Sequence, residues 1–158
     1  MIMRNFVKQT HIRLLKSNRT IATAESCTAG LLSSLLTQFS GSSKYFILGV
    51  ATYSNQAKKA ILGIPVSVIR KNGAVSKETA LSMAQNVRKL AKTDFGVSIT
   101  GIAGPEGGSP QKPVGTVFIA ISAKHGNTCK KFLLEGNRSK VRNQAALKAL
   151  QLINKTVK

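Results

Sequence analysis

The sequence predicts an α/β domain built on a mixed, mostly parallel sheet with helices on both faces. Three observations lead there. Short apolar strand-like runs alternate with segments of helical periodicity, which favours parallel pairing through helical crossovers. A single clear hairpin, around HGN, stands near the end and adds antiparallel strands. No internal repeat or linker divides the 158 residues, a length that suits one domain.

In chain order, residues 3–17 break their apolar positions with charges every few residues, as an amphipathic helix does. TIATAES (20–26) reads as a short buried strand. TAGLLSSLLTQF (28–39) reads as a helix, apolar at 31, 32, 35, 36 and 39, with Thr28 as its expected cap. FSGSSK is a turn, YFILGVATY (45–53) a strand, and NQAKKAIL (55–62) a short helix with Asn55 as its expected cap. Pro65 opens another short helical piece that ends at KNG. Ser76 caps a helix over 76–93 whose apolar face carries Leu81, Ala84, Val87 and Ala91. DFGVSIT (94–100) is a buried strand, and GIAGPEGGSPQKPVG (101–115) a loop rich in glycine and proline. Strands over 114–122 and 128–135 flank the hairpin turn, and a helix over 139–156 follows.

Composition narrows the chemistry. No apolar run approaches the roughly 20 residues that span a bilayer, and the first helix lacks the continuous apolar centre of a secretory signal. The expectation is a cytoplasmic protein with no membrane partner. Its two cysteines, Cys27 and Cys129, are far apart and expected to be reduced. Five acids, Glu25, Glu78, Asp94, Glu106 and Glu135, offer no facing pair for glycosidase chemistry and no cluster for a metal. His11 and His125 stand beside no Ser, Cys or Asp that suggests a triad. Neither a metal nor a cofactor is expected.

Charge points to anionic partners. Against these five acids stand 24 Lys and Arg, a formal net charge of +19. That balance suits nucleic acid, a membrane surface or a phosphorylated small molecule. The positive residues are spread along the whole chain, and aromatics for base stacking are few, which disfavours nucleic acid.

In open α/β sheets, ligands bind at the carboxyl ends of the strands. Three such ends carry polar or glycine-rich sequence: Glu25–Thr28, Tyr53–Lys58 and Thr100–Pro105. GSSKYFILGVATYSNQAK (41–58) holds the groups best suited to acid–base chemistry. An alcohol needs a base to become a nucleophile, and without histidine a neutral lysine amine can serve. This assigns Ser43 as nucleophile, Lys58 as base, and Tyr53 as a group that holds the amine. A lysine useful near neutrality must titrate roughly 2–3 units below its free value of about 10.4. Ser26 and Cys27 in AESCTAG are rival nucleophiles. Gly101 and Gly104 let loop N–H groups approach a ligand, and Thr100 donates into the same crevice. The loop has neither GxxxxGK[ST] nor GxGxxG, so it offers no support for triphosphate or dinucleotide binding by those routes. Arg138 and Arg142, four apart at the start of the last helix, suit a phosphate or carboxylate.

TAESCTAGLLSS, GSSKYFILGVATYSNQAKKAILG, GAVSKETALSMA, VSITGIAGPEGGSPQKPVGTVFIA and GNRSKVR occur in that order and cover most of residues 20–145. Together they resemble the C-terminal domain of the competence/damage-inducible CinA proteins, a family with stand-alone nicotinamide-nucleotide amidohydrolases. The resemblance implies a three-layer α/β/α sandwich over 1–158 and hydrolysis of nicotinamide mononucleotide to nicotinate mononucleotide and ammonia, without a metal. It implies Ser43, Lys58 and Tyr53 as catalytic residues. Thr100, Gly101, Gly104, Arg138, Arg142, Ser26 and Thr28 become candidate substrate-binding residues, and a homodimer is expected. The chain is also expected to lack the N-terminal half of the longer members.

Two departures stand out. Ala29 replaces the second glycine of AESCTGG and is expected to crowd a helix start. Asn137 replaces the aspartate of GDR and is expected to weaken the orientation of Arg138. The alternatives to an amidohydrolase are a basic nucleic-acid-binding accessory protein and a catalytically degenerate family member.

Overall fold

The aliphatic runs pair as five strands in the order β2-β1-β3-β4-β5. The structure is a computed structural model that describes residues 2–157. Strands β1 (Ile21–Glu25), β2 (Phe46–Ala51) and β3 (Phe95–Gly101) run parallel, with β1 between the other two. Strands β4 (Thr116–Ala123) and β5 (Gly126–Leu133) extend the sheet antiparallel through a hairpin tighter than the sequence suggests. Because β1, β2 and β3 share a direction, the residues that follow them emerge along one edge of the sheet.

Alternation along the strands sorts the two faces. Ile21, Val97, Ile99 and Ile119 pack with α1 (Ile2–Ser17), α2 (Leu31–Leu36) and α6 (Arg138–Thr156), through Leu14, Leu32 and Leu150 among others. Ala22 and Ala24 face the opposite layer, against Met83 and Val87 of α5 (Lys77–Ala91). Leu62 of α3 (Asn55–Leu62) and Ile69 of α4 (Val66–Asn72) complete that layer. The result is an α/β/α sandwich on a mixed sheet, as expected.

Small residues set how closely α5 lies on the sheet. Ala80 and Ala84 pack on Ala120, and Ser98 Oγ donates to the Ala80 carbonyl at 2.6 Å. A Cβ on Gly96 would fall 2.1 Å from the Ala84 carbonyl oxygen and 2.6 Å from Arg88 Cβ.

Three local expectations change. Ser54, not Asn55, caps α3: its Oγ accepts from the Ala57 N–H at 3.0 Å. Thr28 does not cap α2. The Glu25 carboxylate does, accepting from the N–H groups of Gly30, Leu32 and Ser33 and from Ser33 Oγ. A carboxylate from the end of β1 replaces a local cap because α2 begins only at Leu31, three residues after Thr28, with Gly30 as the preceding residue. Ala29 is exposed, so its methyl crowds nothing; its cost lies in a φ of 49°, a region that glycine enters freely.

Gly96→Ala is expected to lower unfolding free energy by about 2–3 kcal/mol, measured by urea titration, because backbone must move to admit the methyl. Ala29→Gly is expected to raise it by about 0.5–1 kcal/mol, since relief of the left-handed strain exceeds the added unfolded-state entropy.

Candidate functional site

Lys58 is 1% exposed, an unusual place for an ammonium. Its position follows from α3, which starts beyond the carboxyl end of β2 and turns Lys58 inward beneath Thr52 and Tyr53. Nζ lies 2.9 Å from the Thr52 carbonyl, 3.3 Å from the Tyr53 carbonyl and 3.0 Å from Ser26 Oγ. Ser26 comes from the end of β1, where its N–H donates to the Ile99 carbonyl of β3 at 2.9 Å. Parallel pairing of β1 with β2 therefore brings the serine and the lysine together.

Among the described residues, no carboxylate forms an ion pair with the amine. Both oxygens of Glu25 are engaged at the start of α2, and the ion pair among the described residues is Arg19–Asp94. Burial thus holds Lys58 below its ordinary value of 10.5, with a small opposing influence from Cys27. The hydrogen bonds are compatible with a neutral amine. Carbonyls only accept, so Thr52 and Tyr53 take two N–H groups; the ammonium donates its third to Ser26 Oγ, and the neutral amine would turn its lone pair to that hydroxyl. That is the arrangement a serine nucleophile needs from its base.

Cys27 adjoins this pair and is buried. Burial pushes its thiol up to about 11, so it is protonated near neutrality and a poor nucleophile there. Among the described residues, the N–H groups of Cys27 and Thr28, in the turn after Ser26, donate to no backbone carbonyl.

Ser26, Cys27 and Lys58 open onto a cleft of about 250 Å³. Thr100 and the 101–107 stretch of the glycine-rich loop form one wall, and Tyr53 with Arg138 another. Thr100 Oγ1 donates to the Ala74 carbonyl at 2.8 Å. Arg138 ties the walls together: Nη1 donates to the Gly104 carbonyl at 3.0 Å and Nη2 to the Tyr53 hydroxyl at 2.6 Å. Asn137 caps α6, its Oδ1 accepting from the Lys140 N–H at 3.0 Å, and so anchors the helix that carries Arg138. Among the described residues, no group of His, Cys, Asp and Glu side chains could hold a metal ion. No helix among them is long and apolar enough to cross a membrane.

Several sequence assignments therefore need correction. Ser43 does not meet Lys58. It is exposed in a short 3-10 turn (Ser42–Lys44) ahead of β2, whereas Lys58 follows that strand. The six residues of β2 hold the two at opposite ends of the sheet, about 20 Å apart along the strand. Tyr53 steadies the amine through its main-chain carbonyl only; its side chain is 55% exposed and its hydroxyl serves Arg138. Arg142 and Thr28 do not line the cleft. Arg142 Nη2 instead donates to the Thr28 carbonyl at 2.8 Å and steadies the turn after Ser26. Gly101, Gly104, Thr100 and Arg138 do line it. The signal for Ser26 lay in the sequence: it ends one apolar strand as Lys58 follows another, and adjacent parallel strands juxtapose such ends.

Comparison with known proteins agrees with this architecture. The CinA C-terminal domain family matches residues 4–157. A protein of Thermoanaerobacter pseudethanolicus named as a competence-damage inducible protein is 49% identical over 150 residues, 94% of this chain and 36% of that protein. A CinA-like protein of Kosmotoga olearia is 47% identical over 144 residues, 91% of this chain and 35% of that one. The chain thus spans about a third of the length of these relatives. The crystal structure of a CinA superfamily protein from Klebsiella pneumoniae superposes with a TM-score of 0.94 at 27% identity, covering 98% of this chain and 97% of that one. The competence/damage-inducible protein of Agrobacterium tumefaciens gives 0.93 at 34% identity, covering 97% and 94%. On fold, family match and shared sequence, the chain belongs to the CinA C-terminal domain family.

Proposed function

We propose that this chain is an amidohydrolase that converts nicotinamide mononucleotide to nicotinate mononucleotide and ammonia, with Ser26 as nucleophile and Lys58 as general base. The observation that carries the reading is the 3.0 Å contact between Ser26 Oγ and a buried Nζ that has no counterion. The choice of substrate draws on the family to which the chain belongs. It also agrees with a cleft large enough for a ring bearing a carboxamide, with a guanidinium at its wall.

Catalysis begins as Lys58 accepts the Ser26 proton and Oγ attacks the carboxamide carbon. The oxyanion is met by backbone N–H groups, for which those of Cys27 and Thr28, in the turn after Ser26, are the candidates. The Lys58 ammonium then gives its proton to the departing nitrogen, ammonia leaves, and an ester to Ser26 remains. Water attacks that ester as Lys58 takes its proton. Collapse expels Ser26, which regains a proton from Lys58, and the acid is released. One amine serves as base and acid in each half of the reaction, which requires its charged and neutral forms to be close in free energy. Burial brings them closer. The Thr52 and Tyr53 carbonyls keep the ammonium form tolerable at the intermediate stage. Arg138, bonded to Tyr53 and the Gly104 carbonyl, keeps the loop against the cleft and presents positive charge to a phosphate.

Ammonia release from nicotinamide mononucleotide by the purified chain tests the reading. Ser26→Ala and Lys58→Met are each expected to lower kcat by at least about 10³-fold, as loss of a nucleophile or its base does. Ser43→Ala and Cys27→Ala are expected to stay within about threefold of the parent, since neither group acts. Undiminished turnover by Ser26→Ala would overturn the assignment.

The pH profile of kcat/KM supplies a second test. Only neutral Lys58 can act as base, so the rate rises as pH climbs through its lowered value and is lost below it. The midpoint should fall under the ordinary 10.5. A profile that keeps rising beyond that value would contradict a buried, neutral base.

A further inference from the structure

Glu106 is the one carboxylate among the residues that line the cleft. It lies in the glycine-rich loop, exposed to solvent, and makes no side-chain hydrogen bond or ion pair among the described residues. Among the described residues only Asp94 forms an ion pair, so Glu106 shares its lack of a cationic partner with Glu25, Glu78 and Glu135; its place at the cleft lining sets it apart. The loop that carries it is held on both sides. The Ile102 N–H donates to the Thr116 carbonyl, the Gly104 carbonyl accepts from Arg138, and Ser109 and Lys112 exchange backbone bonds. Glu106 is therefore presented at the cleft by a pinned loop.

The charges around it define what the cleft accepts. Arg138 stands on one wall and the formal net charge is +19, so the charge of the chain as a whole opposes the approach of a positively charged ligand. A single carboxylate at the lining reverses the field locally. The cleft then offers a guanidinium and a carboxylate, complementary to a molecule that carries both an anionic group and a positively charged ring. A neutral ring would gain nothing from the carboxylate.

Resting on the amidohydrolase reading above, we propose that Glu106 is a specificity-determining residue that selects a carboxamide borne on a positively charged, N-substituted heteroaromatic ring over the same carboxamide on a neutral ring. The discrimination is electrostatic and acts on binding. Glu106 takes no proton and forms no bond. A cationic ring close to Lys58 also favours the neutral amine, so the preferred ligand assists the base that attacks it.

The experiment compares two ligands on the intact chain: nicotinamide mononucleotide, whose ring is cationic, and its neutral isostere, 3-carbamoylphenyl C-riboside 5′-phosphate. KM or inhibition constant is measured for the parent, Glu106→Gln and Glu106→Asp, with thermal midpoints recorded to show that each variant is folded. Glu106→Gln is expected to raise KM for the cationic ligand about three- to fivefold, as loss of one solvent-exposed charge pair does, with kcat within twofold. Binding of the neutral isostere is expected to stay unchanged. Glu106→Asp should recover part of the loss, and added salt should shrink the difference. An equal effect of Glu106→Gln on both ligands, or none on either, overturns the role of Glu106 while leaving the amidohydrolase reading intact. A parent that releases no ammonia from the mononucleotide overturns that reading and this inference with it.

Discussion

A lysine amine buried against two main-chain carbonyls and one hydroxyl is the constraint on which the site depends. Carbonyl oxygens cannot donate, so they fix where two Lys58 N–H groups point and leave the third position of Nζ, a lone pair when the amine is neutral, for Ser26. A carboxylate in the same place would hold the amine charged and remove its use as a base. The acid that adjoins Ser26 in sequence is occupied elsewhere: Glu25 spends both oxygens on the start of α2. The Thr23 hydroxyl stands 2.8 Å from Ser33 Oγ, which itself donates to Glu25 and extends this polar cluster away from Lys58.

Backbone geometry, more than side-chain chemistry, makes the arrangement rigid. The Ser26 N–H is bonded to β3 and the Thr52 N–H to the Glu25 carbonyl, so the ends of three neighbouring strands are locked to one another. Arg142 holds the turn after Ser26 through the Thr28 carbonyl, and Arg138 holds the glycine-rich loop. Two arginines one helical turn apart on α6 thus brace opposite sides of the cleft from one element. The close approach of α5 at Gly96 and Ala84 stiffens the sheet from its other face. Positions of this kind, supported by several elements, keep a nucleophile and its base within the few tenths of an ångström that such chemistry requires.

Much of this was legible in the sequence. Alternating strand and helix patterns gave the mixed sheet, and Ser76 announced the start of α5, where its Oγ accepts from the Thr79 N–H. The rule that ligands gather at strand carboxyl ends led to the three segments that now surround the cleft. Choosing between Ser43 and Ser26 required the pairing of strands, which no local pattern encodes. Ser43 and Lys58 are close in number, but an extended strand converts fifteen positions of sequence into a traverse of the whole sheet. Ser26 and Lys58, farther apart in number, meet because β1 and β2 are parallel neighbours. The roles of Tyr53 and Arg142 escaped for a related reason. A main-chain carbonyl as acceptor, or a guanidinium holding a distant turn, leaves no residue-type signature. Glu25 as the cap of α2 was hidden in the same way, since its acceptance of N–H groups five to eight residues on depends on how the turn between them folds.

The charge on Lys58 in the resting protein is the most direct test of this account. Nitrogen-15 NMR of lysine-labelled protein, with the Lys58 signal assigned by its loss in Lys58→Arg, follows the amine through a pH titration. The account predicts a midpoint below the ordinary 10.5, set by burial without a carboxylate partner. A midpoint at or above that value would show an amine held as ammonium, and the base proposed for Ser26 would be gone.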